Sequence, residues 1–353
     1  GGRRAAERIR DPDYSCKDFH DDVTAAFPEL ALYCVVTNGE KHTTSGRSGA
    51  DEYQRTMGAL LAVYWLMRLD TDGRESMCFG LNAEWQPRTP APDRSGNKET
   101  ADSSRMLRRQ HAIDIKEHET RMAFYEKSNW PGFQRLVMDA GLLTGEGDRL
   151  SHDPERTLAM LVLMSIHDIM KMQVLLPSVD KKTGPFAGYK PGETIHDHDE
   201  ALSYVLTFQP QLLPSFYGLS KQQQESLRFT HCKLDYNMGW LVQGEAAPGP
   251  LFRTFRQVVR SGNFVSADIA FYFVHWFVDL AGAEPCPLEG SVKFVLKFPL
   301  RVLAQFLDSF SVVQKLANRT ETQVFEQYLE ERWRSHVPAL GPVPTGAGSI
   351  AKM

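Results

Sequence analysis

The stretch TLAMLVLMSIHDIMKMQVLL, residues 157–176, predicts a helix at the centre of the protein. It has no polar face, and a helix that is apolar all round is buried. His167, Asp168 and Lys171 interrupt this apolar pattern. Burying an imidazole and a carboxylate is costly unless each is hydrogen-bonded or coordinated to a metal. The first question that the sequence raises is therefore what His167 and Asp168 bind.

Most of the remaining chain also has a helical pattern of apolar residues. Residues 264–281 form a second, nearly all-apolar segment, which predicts another central helix. Weak strand signals occur only at 29–36 and 75–81. We therefore expect an all-α protein, whose predicted helices are 50–69, 103–127, 130–142, 154–176, 198–208, 220–242, 250–260, 264–281, 299–317 and 320–336.

A polar, proline-containing stretch at 86–102 (QPRTPAPDRSGNKETAD) is the best candidate for a linker. It predicts an N-terminal helical portion with linker over 1–102 and a larger helical domain over 103–337. The tail at 338–353 has too little apolar content to fold, so we expect it to be disordered.

Composition and charge exclude several classes of protein. The net charge is −4, which gives no overall attraction to a nucleic acid polymer or to an anionic membrane. No apolar stretch reaches the length of a membrane-spanning helix. Five scattered cysteines without CxxC pairs indicate reduced thiols and an intracellular, cytoplasmic protein. The chain starts GGRR without a Met, as in a piece of a longer protein, and the sequence gives no indication of oligomeric state.

Further histidines and carboxylates occur at helical spacing on both sides of the first stretch. Histidine and carboxylate ligands together suit Fe, Mn, Co, Ni or Zn ions. The candidates lie in RRQHAIDIKEHET (His111, Asp114, His118), at the start of a helix (His196, His198), in HCKLD (His231, Asp235) and in the second apolar helix (Asp268, His275, Asp279).

The string HDIMK (167–171) resembles the HDIGK-type signature of the HD-domain superfamily of metal-dependent phosphohydrolases, with Met170 where glycine is usual. The resemblance extends in order over about 104–280 and implies an HD-domain-like helical bundle. The GYP triplet of the HD-GYP branch is absent, and YNMGW stands there. The similar segments are HETRMA (118–123) to HSxRVA, HDEALSYVL (198–206) to HPEIGYEIL, HCKLD (231–235) to the start of HHExxDG, and SADIAFYF (266–273) to VADxFDA.

The resemblance implies a site for two divalent transition-metal ions that hydrolyses a small phosphate ester or a nucleotide. In this arrangement Lys171 stabilises charge on the phosphate. The implied ligands are His118, His167 and Asp268 on one ion, His198 and His231 on the other, and Asp168 bridging both.

Several assignments stay open at the level of sequence. His111 competes with His118, and His196 competes with His198. Asp268 is placed equally well to cap its helix. We expect Asp235, His275 and Asp279 to orient metal ligands rather than to bind the metal themselves.

The loop KKTGPFAGYKPGET (181–194) carries Lys181, Lys182 and Lys190 among glycines. It is either a solvated surface loop or a lid that contributes cations to a bound phosphate. Two other functions remain open. One is an HD-type di-iron oxygenase of the inositol-oxygenase kind, and the other is a non-catalytic helical interaction module with an HD-like core.

Overall fold

The computed structural model describes residues 1–35, 43–88, 104–145, 149–233, 248–262 and 264–353. Helices dominate these ranges. The regular strands within them form one small antiparallel pair, in which Leu143–Thr144 lies beside Ser151–His152. The all-α prediction is therefore confirmed.

The N-terminal portion is helical. Ser15 and Ser48 cap the helices Cys16–Ala26 and Gly49–Leu66 by accepting hydrogen bonds from backbone N–H groups three residues later. The two weak strand signals are wrong, because 29–36 lies largely in a 3-10 helix and 75–81 largely in α4. Short apolar runs suit a buried helix as well as a strand. The elements are α1 (Gly2–Arg8), α2 (Cys16–Ala26), the 3-10 helix Pro28–Cys34, α3 (Gly49–Leu66) and α4 (Gly73–Phe79).

The rest of the chain contributes the other helices, most of which lie where the sequence predicts them. They are α5 (Ser104–Lys127), α6 (Trp130–Asp139), α7 (Pro154–Ile166), α8 (His198–Phe208), α9 (Pro214–Tyr217), α10 (Lys221–Arg228), α11 (Pro248–Ser261), α12 (Ser266–Ala281), α13 (Leu300–Val313), α14 (Glu321–Ser335) and α15 (Ser349–Lys352). Short turns of 3-10 or π-helix cover Ile169–Lys171, Gln173–Leu175, Pro210–Leu212, Phe229–Lys233, Pro287–Glu289, Lys293–Lys297 and Gln314–Ala317.

Helices α7 and α12 lie in the core, as predicted from their apolar faces. Helix α3 packs against both of them, so the N-terminal helices share this core. A Cβ atom on Gly58 of α3 would lie 3.0 Å from the Cα atom of Gly282, just after α12. The absence of a side chain at Gly58 therefore lets the two backbones approach closely.

Two predicted boundaries fall at the margins of the described structure. The proposed division at 102/103 lies within 89–103, outside the described residues. The tail at 338–353 is described as a mostly exposed segment that ends in α15. None of the helices in the described ranges has both the length and the apolar character needed to cross a membrane.

The predicted helix 154–176 is too long, because α7 ends at Ile166. The Nδ1–H group of His167 donates a hydrogen bond to the carbonyl oxygen of Met164 at 2.8 Å. Beyond Asp168 the chain forms a 3-10 turn, and the carbonyl of Lys171 accepts a hydrogen bond from the backbone N–H of Thr44 at 2.8 Å. Residues 167–171 (HDIMK), called the HD motif below, thus lie where the chain leaves the helix and contacts the N-terminal portion.

Candidate metal centre

His167, Asp168 and Asp279 form the central cluster of the structure. One ligand atom from each lies within 4.8 Å of the other two, as in a site that could hold a metal ion. His167 and Asp168 are each 5% exposed, whereas the Asp279 side chain is 37% exposed. The cluster is therefore buried on the α7 side and reached from solvent on the α12 side.

The two ring nitrogens of His167 have different roles. Nδ1 donates to the Met164 carbonyl, so Nε2 is the atom directed at the acids. Nε2 lies 3.0 Å from a carboxylate oxygen of Asp279 and 3.5 Å from one of Asp168. Metal-bound histidines usually donate their other N–H to a carbonyl or carboxylate in this way, which fixes the ring and its tautomer. The geometry of His167 suits ligation through Nε2.

Helices α7 and α12 position this cluster. Arg156 in the first turn of α7 contacts Asp268 in the first turn of α12 at 3.2 Å, and His167 contacts Asp279 at the other ends. Both pairs join residues 112 apart in sequence, so the helices run parallel.

The charges of the cluster shift each other's pKa values. Burial lowers the pKa of His167, but the carboxylates of Asp168 and Asp279 outweigh this effect and raise it to about 9. Desolvation raises the pKa of each aspartate, yet the positive charge of His167 holds both below the usual value. Without a metal, the imidazole is therefore a cation held by two anions at neutral pH.

Lys171 adds a cation next to the cluster. Its ammonium group lies 2.6 Å from Asp168 and 3.9 Å from Glu52, a fully buried residue of α3. Glu52 also accepts hydrogen bonds from Arg55 at 2.9 Å and from Ser45 at 2.5 Å. The N-terminal portion thereby orients a lysine of the HD motif.

A second, more exposed group of candidate ligands comprises Asp197, His198 and Asp199 at the start of α8. His231, in the π-helical turn Phe229–Lys233, donates from Nε2 to the Asp199 carbonyl at 3.3 Å. Burial lowers the pKa of His231, Asp199 opposes this effect, and the nearby imidazoles of His167 and His198 lower the pKa further. His231 therefore lies against the first turn of α8, on which His198 lies.

No protein-family model, curated protein or solved structure matches the chain.

Asp268 is not part of the cluster, contrary to the expectation from the resemblance. Its carboxylate contacts Arg156 and accepts a hydrogen bond from the backbone N–H of Val265 at 3.1 Å, which caps α12. It lies eleven residues before Asp279, or about 16 Å along a helix. In the structure Asp279, and not Asp268, lies against His167.

The other predicted site residues lie outside the central cluster. His118 is half-buried on α5, with its ring 6.4 Å from that of Phe79. Lys181, Lys182 and Lys190 are exposed on the loop between α7 and α8, and the competing His196 is exposed as well. Asp235 and the side chain of His111 lie outside the described residues.

Sequence reasoning missed Glu52 as a neighbour of the HD motif. The spacing of residues could have indicated that Glu52 is buried, because it shares a helical face with Thr56, Ala59 and Leu60. A carboxylate on such a face needs a buried cation. Met170, which stands where the HDIGK-type signature has glycine, lies in a 3-10 turn and not at positive φ, so this position does not need a glycine.

Proposed function

We propose that the chain is a metal-dependent phosphohydrolase of the HD type that acts on a small phosphate ester or a nucleotide. The observation that carries this proposal is the geometry of His167, whose Nδ1 is bound to a carbonyl while Nε2 is directed at Asp168 and Asp279. A buried imidazole with two carboxylates supplies the ligand chemistry that divalent transition metals prefer. The resemblance of HDIMK to the HD signature supports the same reading.

The metal ligands in this proposal are His167, Asp168 and Asp279, with His198 and His231 as ligands of a second ion. When bound, two such ions activate a water molecule and neutralise charge on the transferred phosphoryl group. Asp168 is the candidate bridging ligand, as the resemblance implies.

Lys171 is the residue that we assign to the phosphate. An ammonium group has three N–H donors. One N–H donor is directed at Asp168, and Glu52, at 3.9 Å, is too far away for a hydrogen bond. Donors therefore remain for a phosphoryl oxygen. Because the side chain is only 12% exposed, little water screens this charge. Lys171 can therefore stabilise negative charge that develops during hydrolysis.

Access to the site is from the side of Asp279 and His198, whose side chains are 37% and 30% exposed. The loop with Lys181, Lys182 and Lys190 comes directly before α8, on which His198 lies. We assign these exposed lysines to the capture of the anionic substrate.

The experiment combines metal analysis with phosphate release. Protein purified without chelator is analysed for Mn, Fe, Co, Ni and Zn and assayed on p-nitrophenyl phosphate, on its diester and on nucleotides. Lysine does not bind these metals, so Lys171→Ala should keep the metal content while turnover falls by about 10²-fold or more. Lys221→Ala, an exposed lysine of α10, is the matched control and should hydrolyse substrate at the wild-type rate.

Two results would contradict the proposal. Bound iron with substrate-dependent O₂ consumption and no phosphate release would identify the oxygenase instead. Protein that takes up none of the five metals and releases no phosphate would identify a non-catalytic helical module.

A further inference from the structure

His275 lies beside the cluster of His167, Asp168 and Asp279, and the proposed function gives it no role. It precedes Asp279 by one helical turn on α12, and its ring centroid is 5.7 Å from that of His167. The two rings are nearly perpendicular, with an angle of 85° between their planes. Both ring nitrogens of His275 are buried, and neither has a hydrogen-bond partner in the part of the chain that the structure describes.

Two buried, unpartnered nitrogens in one ring are unusual. A neutral imidazole has one N–H donor and one lone pair, and both are solvated in water. Leaving a buried polar atom without a partner is destabilising, so native proteins contain few such atoms, and an unseen water or ion often explains them. The environment of His275 thus points to a missing partner.

The position of His275 indicates what that partner is. Residues four apart on a helix lie on the same face, so His275 and Asp279 project to the same side of α12. Asp279 contacts His167 on that side. His275 therefore lies on the side of α12 that carries the candidate metal centre, with its ring next to that of His167.

We propose that His275 is a further ligand of the metal ion held by His167, Asp168 and Asp279. It supplies the additional histidine that the resemblance assigned to His118, which lies outside the cluster. The inference rests on the metal site of the proposed function and not on its reaction. Two imidazoles with two carboxylates favour Mn, Fe, Co, Ni or Zn over Mg or Ca, because histidine nitrogen suits the transition ions.

The test is a Co²⁺ titration of wild-type protein and of His275→Leu, followed by proton NMR of the paramagnetically shifted imidazole N–H signals. Loss of one ligand should weaken binding by at least the roughly 10- to 100-fold that loss of an outer partner of a ligand costs. The variant should also show one shifted signal fewer. His152→Ala is the control, because His152 is half-buried and donates to the Ala6 carbonyl. It should bind Co²⁺ as the wild type does.

Metal-free stability separates ligation from a packing role. His275→Leu removes two unpartnered nitrogens, so its denaturation midpoint without metal should equal or exceed that of the wild type. A lower metal-free midpoint with unchanged Co²⁺ affinity would overturn the proposal. His275→Gln is a second variant of similar polarity, and wild-type Co²⁺ affinity in this variant with the full set of shifted signals would overturn it as well.

The outcome is distinct from that of the proposed function. If Co²⁺ binds through His275 but no phosphate ester is hydrolysed, the inference stands and the hydrolase assignment fails. If His275→Leu hydrolyses phosphate esters and binds Co²⁺ as the wild type does, the inference fails and the hydrolase assignment stands.

Discussion

The Nε2 atom of His167 lies 3.0 Å from a carboxylate oxygen of Asp279. This contact joins helices α7 and α12 at one end of the parallel pair, and the ion pair of Arg156 with Asp268 joins them at the other end. Because both helices are buried and fixed at both ends, the atoms directed at the proposed metal are held by the core. The separation of the two ends also allows structure and metal binding to be tested independently on one helix.

Asp268→Asn should lower stability without loss of metal, whereas Asp279→Asn should lose metal. Asp268→Asn weakens the contact with Arg156 and the cap of α12, so the free energy of unfolding should fall by about 1–3 kcal/mol. Its metal content should stay that of the wild type. Asp279→Asn should lose metal, because a neutral amide is a poorer ligand than a carboxylate. Metal analysis together with urea denaturation measures both effects, and loss of metal from Asp268→Asn but not from Asp279→Asn would contradict the assignment of Asp279 as the ligand.

The metal-free protein should become less stable as the pH rises from 6.5 to 9. The pKa of His167 is raised from 6.5 to about 9 in the folded chain, so its contribution is complete below about pH 6.5 and is lost as the pH passes 9. The loss is on the order of 3 kcal/mol, since a rise of the pKa by one unit corresponds to about 1.4 kcal/mol and the rise here is from 6.5 to about 9. Urea denaturation of chelator-treated protein measures it. His167→Gln should lack this pH-dependent loss of stability. An equal pH dependence in both proteins would show that His167 does not cause it.

Metal binding should have the opposite dependence on pH. An ion at Nε2 must displace the proton that Asp168 and Asp279 stabilise there. Apparent affinity should therefore rise by up to about tenfold per pH unit between pH 6.5 and 9, with release of a proton. Co²⁺ calorimetry in buffers of different ionisation enthalpy measures both quantities. An affinity that is constant over this range, with no proton released, would show that the ion does not bind through His167.

The sequence was sufficient for the helices and for the HD pair, because both depend on local pattern. Helices α7 and α12 are apolar on all faces, and such a pattern has few outcomes other than burial. The polar pair His167 and Asp168 within α7's predicted extent marked the site for the same reason.

The sequence was not sufficient to choose between Asp268 and Asp279, because eleven residues are close to three helical turns. Both aspartates therefore lie near the same side of α12. Only the contacts with α7 show that Asp268 lies beside Arg156 and Asp279 beside His167. The end of α7 at Ile166 depends on a side-chain hydrogen bond to Met164 and on the pairing of Thr44 with Lys171. The first is a local side-chain contact and the second is a tertiary contact, and the helical periodicity of apolar residues predicts neither.

The most direct test of the account is an anomalous difference map from crystals of the protein grown with Mn²⁺ or Co²⁺. We expect a peak bound by His167 Nε2, Asp168 and Asp279, at about 2.0–2.3 Å from each ligand atom. In that state Nε2 no longer contacts Asp279 directly, while Nδ1 keeps its hydrogen bond to Met164. A map with no peak there, in which His167 still contacts Asp279 at the saturating metal concentration, would contradict the central claim.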